Sequence, residues 1–292
     1  MNFTRGVILK GIGGFYYVKC DEKVYECRAR GKFRLDGIKP IPGDIAEITP
    51  PTDISGGYIE DIVKRKNELA RPSVANLDFL LIVLSAKKPK PDFLLADKLL
   101  IYAKYNHIPC AIVINKCDSG VADDIKKQYE KSGVDVLSVS AHTREGFSAL
   151  EELIKGKCVC FAGQSAVGKS SIINSLFPDL HLETGGLSKK TDRGRHTTRH
   201  SELILLPRLN ATVIDTPGFS ILECIDIEPQ ELSKYYSEFN WQGCKFTECL
   251  HDKEPDCAVK KQLEAGEISP ERYERYKAIL YKLKERRETM YD

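Results

Sequence analysis

Lys157–Phe177 reads KCVCFAGQSAVGKSSIINSLF, and the order of its parts decides the fold. KCVCFA, from Lys157 to Ala162, has the short apolar character of a buried strand, and SIINSLF, from Ser171 to Phe177, opens a helix. Between them Gly163, Gln164, Ser165, Ala166, Val167, Gly168, Lys169 and Ser170 match G-x-x-x-x-G-K-[ST] in full. Such a loop cradles phosphate. Gly163 and Gly168 let backbone N–H groups turn toward an anion, and the helix N-terminus adds partial positive charge. Lys169 is expected to reach the β- and γ-phosphates in a catalytic role, Ser170 to ligate Mg²⁺, and the contact set to run on to Ser171. The competing reading is a glycine-bearing turn with no ligand.

Upstream, Leu77–Ser85 is a near-continuous apolar run of the kind a strand buried on both faces needs, and Phe93–Tyr105 has the period of a covering helix. The next strand, Cys110–Ile114, ends in Asn115-Lys116-Cys117-Asp118, at the carboxyl end where open α/β sheets place ligands. N-K-x-D selects a base. Asp118 offers two coplanar acceptors that match guanine N1–H and its exocyclic amine, whereas adenine presents an acceptor and no amine. Asn115 is expected to bond the base and brace loops, and the stem of Lys116 to lie along base and ribose. A helix near Ala122–Lys131 and a strand at Val134–Val139 lead to Ser140-Ala141, a small turn whose N–H groups suit a base carbonyl, and a further helix covers Gly146–Lys155.

Downstream, Leu182–His200 is glycine-rich, polar and aperiodic, as a functional loop is. A strand pair at Ser201–Leu206 and Ala211–Ile214 then delivers Asp215-Thr216-Pro217-Gly218. Asp215 is read as the second metal-side residue, Gly218 as a γ-phosphate donor, and Thr198, with Thr197 as the alternative, as the residue completing the Mg²⁺ shell beside Ser170 and Asp215. The position after Gly218, where a water-orienting glutamine is common, is Phe219. His196 is the polar candidate to replace it.

The flanks differ in kind. Residues 1–67 hold five short strand-like runs separated by turn residues, which suits a small closed barrel of the OB type. Within RARGKFR, Phe33 among Arg28, Arg30, Lys32 and Arg34 reads either as a stacking aromatic on a phosphate-contacting rim or as part of a solvated basic loop. At the other end Cys244, Cys249, His251 and Cys257 form C-x₄-C-x-H-x₅-C, a Cys₃His set for one structural Zn²⁺ per chain. Ser269 then opens a helix to about Arg287 with Tyr273, Tyr276, Leu280 and Leu283 on one face and Arg272 and Arg275 off it. The 292 residues are 42% hydrophobic with a net charge of +2, which allows several cores and excludes a global basic field. No run approaches a membrane span and no apolar signal core is present, so a cytoplasmic protein with reduced thiols is expected.

The phosphate loop, D-T-P-G, N-K-x-D and S-A elements resemble those of translation-factor-like GTPases, in an altered order that places the base-reading pair first. A circularly permuted domain is the expectation. With the barrel and the Cys₃His unit added, the whole chain resembles the ribosome small-subunit-dependent GTPase A family (RsgA, YjeQ, YloQ). The resemblance implies a multidomain fold: an OB-fold RNA-binding β-barrel over 1–67, a central α/β circularly permuted P-loop GTPase domain over 68–222, and a C-terminal zinc-binding and helical domain over 223–292. It implies a GTPase that uses Mg²⁺ with GTP, binds the small ribosomal subunit and its rRNA late in assembly, is stimulated by it, and leaves upon hydrolysis. A monomer is expected. One departure is Ala166, where glycine is usual and where a positive φ would strain the loop.

Overall fold

The computed structural model describes residues 3–52, 55–70, 73–177, 202–215 and 227–291. Five strands, β1 (Thr4–Ile12), β2 (Phe15–Cys20), β3 (Lys23–Ala29), β4 (Ile45–Thr49) and β5 (Gly57–Ile62), close into a barrel in the order β1-β2-β3-β5-β4. The closing pair β3 and β5 is parallel and the others are antiparallel. Alternation fills the interior with Ile8, Val18, Cys27, Ala46, Ile48 and Ile59. A bulge at Leu9 bends β1, so that one strand serves both β2 and β4.

The barrel corrects one expectation. Phe33, on the single-turn helix α1 (Lys32–Leu35), is 3% exposed and belongs to the barrel core, so it is no stacking platform. Burying such a ring is worth about 1.5–3 kcal/mol, which outweighs holding it in water for a ligand. Arg28 and Arg30 lie instead over the rings of Phe15 and Tyr58, at 4.6 and 3.9 Å from the centroids, and Arg30 forks onto Glu60.

The polar stretch after the barrel has a structural reason. The Asp44 side chain, 0% exposed, accepts from Arg65 Nε (2.7 Å) and Nη2 (2.8 Å) and from Ile41 N (2.8 Å). Arg65 also donates to Lys39 O and Glu68, at 2.7 and 2.6 Å. One guanidinium thereby ties the barrel to the hairpin of β6 (Glu68–Ala70) and β7 (Ser73–Ala75).

The central sheet has six strands, β8 (Phe79–Ser85), β9 (Cys110–Asn115), β10 (Asp135–Ser138), β11 (Cys158–Ala162), β12 (Glu202–Leu206) and β13 (Ala211–Asp215), in the order β10-β9-β8-β11-β13-β12. All pairs are parallel except that of edge strand β12 with β13. Alternation along β8 feeds two cores. Leu80, Ile82 and Leu84 meet the helices α2 (Phe93–Tyr105) and α3 (Asp123–Tyr129), while Leu81 and Val83 meet α4 (Phe147–Ile154) and α5 (Lys169–Leu176). The chain runs outward from β8 to β10 and then returns to β11 on the other side of β8. The carboxyl ends of β9, β8 and β11 therefore flank a topological switch point.

Helix α2 is buried over eight consecutive residues, Ala96–Ala103, because the sheet covers one side and the C-terminal region the other. That region carries α6 (Ala258–Glu264) and α7 (Pro270–Tyr291) and has no core of its own among the described residues. Leu232, Tyr236, Phe239, Tyr276 and Leu280 join the α2 side of the sheet core. The ring centroids of Tyr236, Phe239 and Tyr276 lie 4.8–5.2 Å apart.

A second correction falls here. Arg272 and Arg275 of α7, read from the sequence as lying off its apolar face, are 3% and 12% exposed. Arg272 Nη1 and Arg275 Nε meet the two oxygens of Asp97 on α2 at 2.6 and 2.5 Å, and Arg272 Nε also donates to Glu238. Burial pushes the Asp97 carboxyl above the usual range, and the two guanidiniums pull against it.

Candidate nucleotide site and metal centre

The loop between β11 and α5 has the backbone its sequence requires. Gly163, Ala166 and Gly168 all have positive φ, at 139°, 63° and 97°. Ala166 thus sits in the left-handed region, where its Cβ costs roughly 1–2 kcal/mol, and the strain expected of this substitution has its geometric basis. At Gly168 a Cβ would stand 2.3 Å from Asn115 Nδ2, so no side chain fits between the loop and β9. Lys169 Nζ donates to Gly163 O (2.7 Å) and Gln164 O (2.8 Å), which holds the ammonium at the mouth of the loop.

Asn115 joins three segments. It is 1% exposed at the end of β9, and its Nδ2 donates to Val167 O of the phosphate loop at 2.9 Å. Its Oδ1 accepts from Lys116 N (2.8 Å) and Ala141 N (3.1 Å). The Ala141 N–H, expected to serve a base carbonyl, is thus shared with Asn115. Lys116, itself in the left-handed region, reaches Ala166 O at 2.9 Å and Lys88 O at 2.5 Å. Ser140 Oγ accepts from His142 N and Thr143 N, at 3.3 and 3.0 Å, which shapes the turn after β10. A hydrogen bond from Ser140 holds the exposed Asp118 carboxyl below the usual carboxylate range.

These segments enclose a cavity of about 370 Å³ lined by Asn115, Lys116, Asp118, Ser119, Ala141, His142 and Ser171. Asp118 and Ser171, the latter in the first turn of α5, both line it, so base-side and phosphate-side candidates share one cleft. Sequence reasoning missed His142 and Ser119; adjacency to Ala141 and Asp118 was the signal available. Cys117 is half-buried and does not line the cleft. Asp215 ends β13, and its side chain lies outside the described residues, as do His196, Thr198 and Gly218.

The second cluster is complete. The ligand atoms of Cys244, Cys249, His251 and Cys257 lie within 4.8 Å of one another. Cys244 Sγ to Cys257 Sγ is 3.8 Å, and each of these sulfurs is 3.4 Å from His251 Nδ1. A tetrahedral zinc ion with ordinary bond lengths sets S···S at ~3.8 Å and S···N at ~3.6 Å, so the donor set fits zinc. Among the described residues no fifth ligand group joins the four, as in a closed structural site. Burial pushes the Cys249 thiol up to about 12, so a cation is needed to hold it as thiolate. Around the site Ala258 N donates to Cys244 Sγ (3.3 Å), and Glu254 accepts from Leu250 N and Asp252 N at 3.0 and 2.9 Å. Helix α7 adds Tyr273 OH on His251 O (2.5 Å) and Tyr276 OH on Leu250 O (2.9 Å). Among the described residues no disulfide joins the cysteines, and no helix is long and apolar enough to cross a membrane.

Comparison with known proteins agrees over nearly the whole length. Residues 62–225 match the RsgA GTPase family model, and residues 5–59 match the RsgA N-terminal domain. The small ribosomal subunit biogenesis GTPase RsgA of Ruminiclostridium cellulolyticum is 44% identical over 96% of this chain and 94% of its own. The protein of the same name from Caldanaerobacter subterraneus is 43% identical over 100% and 99%. Among solved structures, YjeQ from Thermotoga maritima superposes with a TM-score of 0.83 at 36% identity, covering 97% of this chain and 99% of that one. YloQ, described as a circularly permuted GTPase, gives 0.80 at 35%, covering 98% and 96%. With a closed five-stranded barrel, a permuted P-loop sheet and a Cys₃His cluster in one chain, the protein belongs to the RsgA GTPase family.

Proposed function

We propose that this GTPase acts in ribosome biogenesis by binding the small ribosomal subunit, contacting its rRNA and hydrolysing GTP under stimulation by the subunit. The observation that carries the reading is Asn115, whose one amide spans the phosphate loop at Val167 O and the Ala141 turn. Phosphate recognition and base recognition thereby become one preorganised cleft. In it Asp118 reads guanine, with Asn115, Lys116 and Ala141 around the base, while Cys117 and Ser140 shape the loops that carry them. Gly163 to Ser171 take the phosphates. Ser170, Thr198 and Asp215 would hold Mg²⁺, which when bound neutralises charge on the β- and γ-oxygens. Lys169 meets the same oxygens, Gly218 donates to the γ-phosphate, and His196 aligns the attacking water.

The division of labour follows the partition 1–67, 68–222 and 223–292. The face of β2, β3 and β5, with Arg28 of β3 over Phe15 of β2 and Arg30, just past β3, over Tyr58 of β5, supports rRNA contact by the barrel, since OB folds bind oligonucleotides on strands 2 and 3. Relatives named for small-subunit biogenesis at 43–44% identity support the choice of partner. Metal analysis of protein purified without chelator should find about one zinc per chain. The functional test is multiple-turnover GTP hydrolysis with and without purified small subunits. Stimulation of about 10³- to 10⁵-fold is expected, with loss in His196→Ala at unchanged nucleotide and subunit affinity. No stimulation would leave a guanine-nucleotide-binding scaffold, and intact stimulation in His196→Ala would assign the water-orienting group to the ribosome.

A further inference from the structure

We infer that helix α2 connects the phosphate loop to the Cys₃His unit, with Gln164, Asp92 and Asp97 as its positioning residues. Gln164 Oε1 accepts the Asp92 N–H at 3.2 Å, and the Asp92 carboxylate caps α2 by accepting Leu95 N–H at 2.9 Å. The same Gln164 presents its carbonyl to Lys169 Nζ. Any phosphate charge that draws on Lys169 therefore draws on the residue whose side chain holds the first turn of α2.

From there the path is rigid. α2 has 13 residues, about 20 Å of helix, packed on both sides, so a displacement of its first turn is carried along its length. Asp97, just past that first turn, places both oxygens on Arg272 and Arg275. Those arginines belong to α7, whose Tyr273 and Tyr276 hydroxyls hold the His251 and Leu250 carbonyls. Each joint from Gln164 to His251 is a hydrogen bond, an ion pair or a continuous helix. The weakest joint, the Gln164–Asp92 hydrogen bond, limits the coupling to about fivefold.

The inference rests on the nucleotide reading above, and the experiment separates the two. Dissociation of mant-GDP is measured on the zinc-loaded full chain for wild type, Gln164→Ala, Asp97→Asn and the double variant. Each single change should speed release about two- to fivefold, and the double variant should release no faster than the faster single, because the residues act in series. Zinc release to a chromogenic chelator gives the reciprocal reading: GDP should change it by a similar factor in wild type and not in Gln164→Ala. Arg275→Gln, which keeps the Asp97–Arg272 pair, replaces Asp97→Asn if that variant does not fold. Effects that multiply in the double variant overturn the proposal. So does unchanged release in the α2–α7 variants, or a GDP effect on zinc release that survives Gln164→Ala. Wild-type protein that fails to bind mant-GDP refutes the nucleotide reading itself.

Discussion

Two buried arginine–carboxylate junctions join the parts of this chain, and they differ in what surrounds them. At the barrel, Arg65 meets Asp44 while keeping 20% of its side chain exposed, and the barrel has its own core. On the far side, Arg272 is 3% exposed and bridges Asp97 and Glu238 within a core that the sheet and the C-terminal region share. Water can repair the first junction when it is cut. It cannot reach the second, so the C-terminal region is an extension of the sheet domain, whereas the barrel keeps a core of its own and meets the sheet domain through Arg65, the Lys10–Glu202 pair and the half-buried Val7 and Leu9.

The largest effect should come from cutting the inner junction. Asp97→Asn leaves two guanidiniums facing an amide in a dry core and should cost about 3–5 kcal/mol. Urea unfolding followed at Trp241, the only tryptophan of the chain, reads this directly because that residue lies in the C-terminal region. A loss below about 1 kcal/mol would mean that solvent reaches Asp97. Cutting the outer junction with Asp44→Asn should cost less, about 1–3 kcal/mol, since Arg65 turns to water and keeps Glu68. Hydrogen exchange should quicken in β1–β5 and not in β8–β11. Equal quickening in both would break the distinction between the two cores.

The smallest effect concerns acid. Hydrogen bonds from Arg30 and Thr49 hold Glu60 on β5 below the usual glutamate range. A depressed carboxyl stabilises the fold fully above the unfolded value near pH 4.3 and loses that contribution as pH falls through the lower folded value. Barrel stability should therefore fall below about pH 4 in wild type, by less than about 1 kcal/mol from this pair. Glu60→Gln should flatten that part of the profile, and an unchanged slope would assign the acid loss elsewhere.

The difference between the junctions also marks where the sequence stops being readable. The barrel strands, the near-continuous apolar run of β8, the phosphate loop and the Cys₃His spacing are local patterns, and local period and spacing determine them. Ala166 could be judged too, because a loop of fixed geometry demands its positive φ. Arg272 and Arg275 could not. Their partner Asp97 is 175 residues away from Arg272, and a helix that reads as amphipathic gives no sign of which polar residues become desolvated. Phe33 failed for the opposite reason: its basic neighbours signal an exposed rim, while one helical turn rotates the ring inward. The link from Gln164 to Asp92 crosses 72 residues and rests on where β8 and β11 lie side by side, which only the sheet order reveals.

The central claim is that the cleft beside the phosphate loop reads guanine through Asp118, and one substitution addresses it. In Asp118→Asn the amide donates where the carboxylate accepted, which suits the carbonyl that xanthine carries in place of guanine's amine. Competition binding of GTP and xanthosine triphosphate should show wild type preferring GTP and Asp118→Asn preferring xanthosine triphosphate. An unchanged preference for GTP in Asp118→Asn would contradict the assignment of the base-reading site.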